Sequence, residues 1–374
     1  MGFLSLLSLG FVTFRPNRLV DGEAVSFFNA LDPALVAAVA VLWVLMLAAS
    51  VLRIPGDIRA AILGFVPCIV IPLLFMGAGH FAAVTAAQAG PIPRVSLGPA
   101  FWAAAFTLIV VFTDVMQRMR RQRVLLALFA ALSLGALMWM LLSGKLDDLS
   151  LMREFANRKS RFTGELRSHL LLAFSAVGAA TFIGIPLGIL AHRKTGLRGP
   201  TFFTLNTLQT LPSLALFGIL IPILSALTVR FPALKEAGIQ GIGAAPAIIA
   251  LTVYSLLPVA RNTYTGFAAV DPGAVDAGRG MGMTGRQLMW KVEAPIASPV
   301  ILNGIRIALV QAIGLTAVAA LIGAGGFGVF IFQGLGQAAT DLILLGAIPT
   351  IIIAVLADSM MNGIIAVVRP KGLK

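Results

Sequence analysis

The sequence predicts an all-α fold, a polytopic transmembrane helical bundle, on three observations. Of its 374 residues, 59% are hydrophobic and 11% are charged, whereas ordinary soluble domains run near 25% charged. The mean hydropathy is +0.96. Apolar runs of the roughly 20 residues needed to cross a bilayer recur along the chain. A chain this poor in charge cannot coat itself for water, so lipid must be the main solvent of its outer face.

Nine runs qualify, at 34–52, 60–79, 97–115, 124–142, 168–191, 201–227, 243–260, 300–322 and 342–367. Residues 1–12 are apolar but too short to cross alone. They make a tenth span if clipped, and otherwise an interfacial helix or a signal-like start. No small-residue cleavage site follows them, so no signal peptide is expected.

Lys and Arg in the loops set the orientation. One set of loops carries sixteen, from Arg53 and Arg59 through Arg118, Arg120, Arg121 and Arg123 to Arg369, Lys371 and Lys374. The other carries nine, or eleven with Arg15 and Arg18. The richer set should face the cytoplasm, with the C-terminus inside a bacterial inner membrane. This distribution also accounts for the net charge of +13 without nucleic acid as a partner.

Three regions follow. Residues 1–142 form an accessory region of about four spans, 143–167 a connector, and 168–367 the part that holds most of the proline, glycine and polar features. In the connector, Leu149, Met152 and Phe155 recur at helical spacing among mixed charges, as in an amphipathic interfacial helix.

Several chemistries are excluded. Cys68 is single, and His80, His169 and His192 are far apart, so no metal site is expected. Gly280, Gly282 and Gly285 spell GxGxxG, as do Gly323, Gly325 and Gly328, but neither set follows a strand of a βαβ unit. The first also lacks the Lys and Ser/Thr of a P-loop. No catalytic constellation is present. Asp358 is the one acid deep in a span, too little for a proton relay, and Arg306 reads as a side chain snorkelling to the interface.

The loop 261–299 is the most informative stretch. Asp271-Pro272 reads as a helix start, an acid cap followed by a first-turn proline. A short helix carries Ala274, Val275, Asp276 and Ala277, with Arg279 and Arg286 at its side. Gly278, Gly280 and Gly282 then break it, and a second helical run over 285–293 leads to Pro295. The result is a small cytoplasmic knob that a partner protein can grip. Asn206, Gln209, Thr210 and Ser213 lie at i, i+3, i+4 and i+7, one polar face that either packs against other helices or lines a path. Gln311 and Thr316 are placed to face it.

The loop resembles the signature of bacterial ABC import permeases: EAA, three residues, Gly, nine residues, Ile, any residue, Leu-Pro. Asp276-Ala277-Gly278 take the first three places, Gly282 the glycine, Val292 the Ile, Ala294 the Leu and Pro295 the Pro. Gly278 in place of Ala should loosen the helix. The run Asn206 to Leu216, the stretch from Tyr254 to Gly285 and the run Ala320 to Gly328 are similar to the glycine betaine/choline (osmoprotectant) permeases of the ProW and YehY type. The extra N-terminal spans resemble the longer YehY variety.

The resemblance implies a type I importer core of five helices and a coupling helix that docks on a separate ATP-binding ABC subunit. ATP and Mg belong to that subunit, with no cofactor in this chain. It also implies a second permease subunit, identical or paralogous, and a periplasmic substrate-binding protein, since no binding domain is fused at either end. A secondary transporter or channel for a small polar solute is the alternative.

Overall fold

The computed structural model describes residues 2–17, 20–89, 92–118, 123–236 and 238–369. Of the basic residues that orient the chain, Arg18, Arg120, Arg121, Lys371 and Lys374 lie outside the described residues. Among the described residues, nine helices are long and apolar enough to cross a membrane. The chain divides into two compact units, Met1–Asn157 and Arg158–Lys374.

In the first unit, α1 (Gly2–Ser8) is a short helix and not a span. It packs on α5 (Pro99–Arg118), which buries Leu6. Strands β1 (Val12–Arg15), β2 (Glu23–Val25) and β3 (Arg94–Leu97) form an antiparallel sheet in the order β2-β1-β3, with Val12 opposite both Val25 and Leu97. Its partner strands lie far apart in the chain, which periodicity over single spans does not show. Helix α2 (Phe27–Ala30) leads into α3 (Pro33–Val51), α4 (Gly56–Ala89), α5 and α6 (Arg123–Leu142). The core gathers at the sheet end, where Phe11 meets Phe27 and Phe101 at ring distances of 5.4 and 5.8 Å. The first pair is edge-to-face and the second tilted, and such pairs fill volume and add to burial. Helix α7 (Ser150–Asn157) closes the unit. The amphipathic helix in the connector is thus only this segment.

The second unit opens on α8 (Lys159–Arg193), so residues 159–167 continue the fifth span. It is followed by α9 (Thr195–Thr210), α10 (Ser213–Arg230), α11 (Pro232–Glu236) and α12 (Ala244–Ala268). Then come α13 (Pro272–Gly280), α14 (Gly285–Leu288), a π turn (Met289–Glu293), α15 (Ala294–Ala319), α16 (Gly328–Gly336) and α17 (Thr340–Val368). Helix α12 is the centre of the unit and packs on α8 and α15, while α15 and α16 pack on α17. In lipid, close approach through small residues replaces the hydrophobic drive of water. A Cβ on Gly184 would stand 2.9 Å from Val259, and one on Gly188 would stand 2.6 Å from the Ala260 carbonyl oxygen.

The span at 201–227 is not one helix. It breaks at Leu211, whose ψ of 133° is extended. The residue before a proline is pushed out of the helical region, and here that proline is Pro212. The break frees the Leu211 carbonyl, and the Tyr254 hydroxyl donates to it. Tyr254 in turn has a carbonyl that would pair with the N–H of residue 258, but that residue is Pro258. The Gln209 amide donates to it at 3.3 Å. Two prolines on crossing helices thus have their orphaned carbonyls satisfied by one another's neighbours, as lipid demands.

The glycine-rich run after α15 is pinned as well. Gly323, Gly325 and Gly326 have φ of 76°, 82° and 84°, a region that favours glycine. The Gly326 N–H donates to Glu165 Oε2 at 2.7 Å, and the Phe327 N–H donates to His169 Nδ1 at 3.3 Å. His169 Nδ1 accepts, so Nε2 carries the hydrogen and donates to the Ile313 carbonyl at 3.0 Å. His169 is fully buried, a structural clamp rather than a ligand.

The α8–α12 contact sets a test. Gly188→Val should destabilise the protein by about 1–3 kcal/mol, because the carbonyl of Ala260 cannot retreat without disturbing α12. Gly178→Val should be close to neutral, since nothing stands within 4 Å of its added Cβ. Thermal unfolding of the two variants in detergent compares them directly.

Candidate functional site: the 261–299 knob and its supports

The knob forms as its sequence dictates. Asp271 caps α13 and its carboxylate accepts from the Gly273 N–H at 3.2 Å, with Pro272 in the first turn. Arg279 pairs with Asp276 one turn away at 3.3 Å, an exposed pair of little energetic weight. Met283 N–H donates to the Gly278 carbonyl at 3.2 Å as α13 ends, and Gly282 follows the helix at φ 77°. Thr284 and Gln287 then form a reciprocal capping box that restarts the chain as α14. From Gly285 onward the helix runs through the π turn into α15, carrying Val292, Ala294 and Pro295 on the way.

Gly278 does not loosen α13. It is buried, and a Cβ there would stand 2.6 Å from Leu288 Cδ1. The glycine lets α13 lie close against α14. The knob is seated by Val275, Met289 and Ala294, which pack with Phe267, Val270 and Ala297. Asp276, Ala277, Gly280, Gly285 and Pro295 are exposed. Met281 and Trp290 present 71% and 63% of their surfaces. The knob thus presents exposed apolar surface with Arg279 and Arg286 beside it.

A second tie was not visible in the sequence. Glu293 is 5% exposed, and its carboxylate accepts from Arg193 at the end of α8. The hundred residues between the two hide the pairing. A single acid set just before Ala294-Pro295 in an apolar context was the available signal, because a buried carboxylate needs a partner. Around this pair, Arg198 lies over the Tyr264 ring at 4.8 Å and Arg261 over Phe202 at 4.3 Å. These two contacts join α9 to α12 next to the knob, and the His192 ring at the end of α8 meets Tyr264 at 6.1 Å.

The polar stripe fares differently. Asn206, Gln209 and Thr210 lie on α9, while Ser213 begins α10 beyond the break, so the four do not share one helical face. Gln209 is committed to the Tyr254 carbonyl, and the Thr210 hydroxyl donates back to Thr207. Asn206 is exposed, Ser213 and Gln311 are half-buried. Thr316 is fully buried, with its hydroxyl donating to Ala312, and it does not face the stripe. Asp358 is not alone either. Arg306 meets it with two hydrogen bonds, of 2.6 and 3.2 Å, and Asn362 adds a third at 3.1 Å. Arg306 therefore does not snorkel; a bidentate pair of this geometry neutralises both charges. Among the described residues no group of His, Cys, Asp and Glu is placed to hold a metal.

Comparison with known proteins gives two family matches. Residues 1–152 match the N-terminal domain of the ABC transporter permease YehY, and residues 182–371 match the binding-protein-dependent transport system inner membrane component. The osmoprotectant import permease protein OsmW of Salmonella typhimurium is 41% identical over 55% of this chain and 91% of its own length. The glycine betaine/carnitine/choline permease protein OpuCD of Bacillus subtilis is 41% identical over 53% of this chain and 80% of its own. Among solved structures, a chain of the MetNI methionine ABC transporter in an inward-facing form aligns at a TM-score of 0.49 with 23% identity, over 56% of this chain and 96% of that one. With its multi-span helical fold and more than half of its length matched, this chain belongs to the family of binding-protein-dependent transport system inner membrane components, the permeases of ABC importers.

Proposed function

We propose that this permease imports a small osmoprotectant of the glycine betaine or choline kind, driven by ATP hydrolysed in a separate subunit. The cargo assignment rests on what relatives such as OsmW and OpuCD are named for. The coupling assignment rests on one observation: an exposed apolar knob, seated on α12 and α15 through Val275 and Phe267, next to the Arg193–Glu293 tie to α8. Two permease subunits, identical or paralogous, pair in the membrane. A periplasmic binding protein delivers cargo, and two ATP-binding subunits grip the knobs from the cytoplasm, where the C-terminus also lies.

The mechanics follow from the ties. Closure of the ATP-binding subunits draws the two α13 helices together. The pull passes along α14 and the π turn into α15 as one continuous helix, and through Glu293 into α8. The bundle then opens outward, accepts cargo, and resets after hydrolysis. Asp271, Pro272, Asp276, Ala277, Arg279 and Gly282 form the docking face in this scheme, while Gly278 holds α13 against its support. Uncharged polar groups such as Asn206 and Ser213 suit a path for a quaternary ammonium solute, which makes no strong hydrogen bond. The neutralised Arg306–Asp358 pair gives no support to a proton-coupled alternative.

In proteoliposomes holding the permease, its ATPase and its binding protein, uptake of glycine betaine should require ATP inside; uptake driven by a proton or sodium gradient alone would overturn the proposal. Gly282→Asp should impair docking, because an aspartate at φ 77° costs about 1 kcal/mol and carries charge into the grip. Intact ATPase assembly and uptake in that variant would show that the docking helix lies elsewhere. Glu293→Ala should leave ATPase assembly in place yet lower transport per ATP consumed. The accompanying loss of stability should be about 1–3 kcal/mol, below that of a fully buried pair because Arg193 keeps solvent contact. Transport-to-hydrolysis ratios measured side by side check this.

A further inference from the structure

The N-terminal unit contains a cavity of about 330 Å³, within the size range of small-molecule sites. It lies between the start of α3, the second half of α4 and the turn after α6. Leu31, Leu35 and Met76 supply apolar walls, and Asp32, His80 and Lys145 supply charge and hydrogen-bonding groups. Helices α3 and α4 join at the other end through the loop of Arg53, so the cavity lies at the end of the unit remote from that loop. By the distribution of basic residues, that end faces outward.

The pocket is open to solvent at its charged rim, and three features mark it. Asp32 occupies the cap position of α3, yet its carboxylate makes no hydrogen bond to the helix it caps. An aspartate at a cap normally spends its oxygens there; this one stands at the mouth of the pocket, 72% exposed, with the His80 imidazole, 60% exposed, 3.9 Å away. Lys145 is held by the ring of Trp139, 4.4 Å from its ammonium, rather than by a carboxylate. The cavity therefore carries an acid and a base that do not neutralise each other. Lastly, the walls are built at close range by glycines. A Cβ on Gly77 would stand 2.6 Å from Leu31, and one on Gly79 would stand 2.6 Å from the Lys145 carbonyl oxygen. Gly79 thus sets how near the base comes to α4.

We propose that this cavity binds a small zwitterion, with its cationic end at Asp32, its carboxylate at Lys145 and His80, and its carbon skeleton against Leu31, Leu35 and Met76. Two opposite charges across an apolar floor reject simple cations and simple anions, because each would leave one protein charge unmatched. The lining residues all belong to the first unit, and in this proposal the site reports a solute without carrying it. The proposal depends on the osmoprotectant reading only for its first probe.

Calorimetry on the full chain in nanodiscs tests it, with glycine betaine, L-proline and L-carnitine as probes and tetramethylammonium and acetate as single-charge controls. At least one zwitterion should bind, at least tenfold more tightly than either control, a difference of about 1.4 kcal/mol. Asp32→Asn and Lys145→Met should each weaken binding at least tenfold, while Gly178→Val, in the other unit, should leave it unchanged. Melting curves of the unliganded variants check that they fold, and Lys145→Gln replaces any that does not. Absence of heat with all three zwitterions overturns the proposal, as does binding that survives both pocket substitutions. If binding persists while ATP-driven uptake of glycine betaine fails, the proposed function falls and this site stands.

Discussion

Everything in this protein answers to one constraint: inside a bilayer, each backbone N–H and C=O and each charge must find its partner within the chain. Long helices meet most of that demand by themselves. The informative places are where they do not. Leu211 and Tyr254 each expose a carbonyl because of a proline, and each is served by a side chain of the opposing helix. Gly326 and Phe327 donate to Glu165 and His169 across the bundle. These contacts fix how α8, α9, α12 and the glycine-rich turn meet, and so they fix the frame on which the 261–299 knob stands.

In the proposed mechanism, that frame lets a small element move a large one. The knob has no long lever of its own. It is a nine-residue helix folded back through Gly278 on α14, and α14 runs on through the π turn into α15. Force applied to it enters one helix by covalent continuity and another by the Arg193–Glu293 pair. A flexible loop would dissipate the same force in its own bending. The capping box at Thr284 and Gln287 and the left-handed turn at Gly282 are local devices that keep the reversal tight.

The spans were legible in the sequence because hydropathy over some twenty residues is a local property, and each of the nine proposed runs overlaps one of the nine long apolar helices among the described residues, although the run at 201–227 contains the break at Leu211. So was the knob, since caps, turns and glycines act over a few residues. What was illegible depended on distant pairing. Asp358 looked solitary because Arg306 lies 52 residues away, and Glu293 looked like one more loop acid. Pro212 was in view, but its consequence for Leu211 depends on whether a crossing helix can serve the freed carbonyl, which only the tertiary arrangement reveals. The stripe from Asn206 to Ser213 failed for the same reason: helical periodicity assumes an unbroken helix. The three strands of the first unit were missed because β3 lies some 80 residues from β1, and each is too short to stand out from its apolar surroundings.

The union of Arg306 with Asp358 has a further bearing. A helix that carries a bare charge through the bilayer feels the membrane voltage, at about 2.3 kcal/mol per elementary charge for each 100 mV. Two opposite charges bound to each other travel together and feel almost none. When α15 and α17 shift together, the electric field across the membrane therefore does almost no net work on this pair.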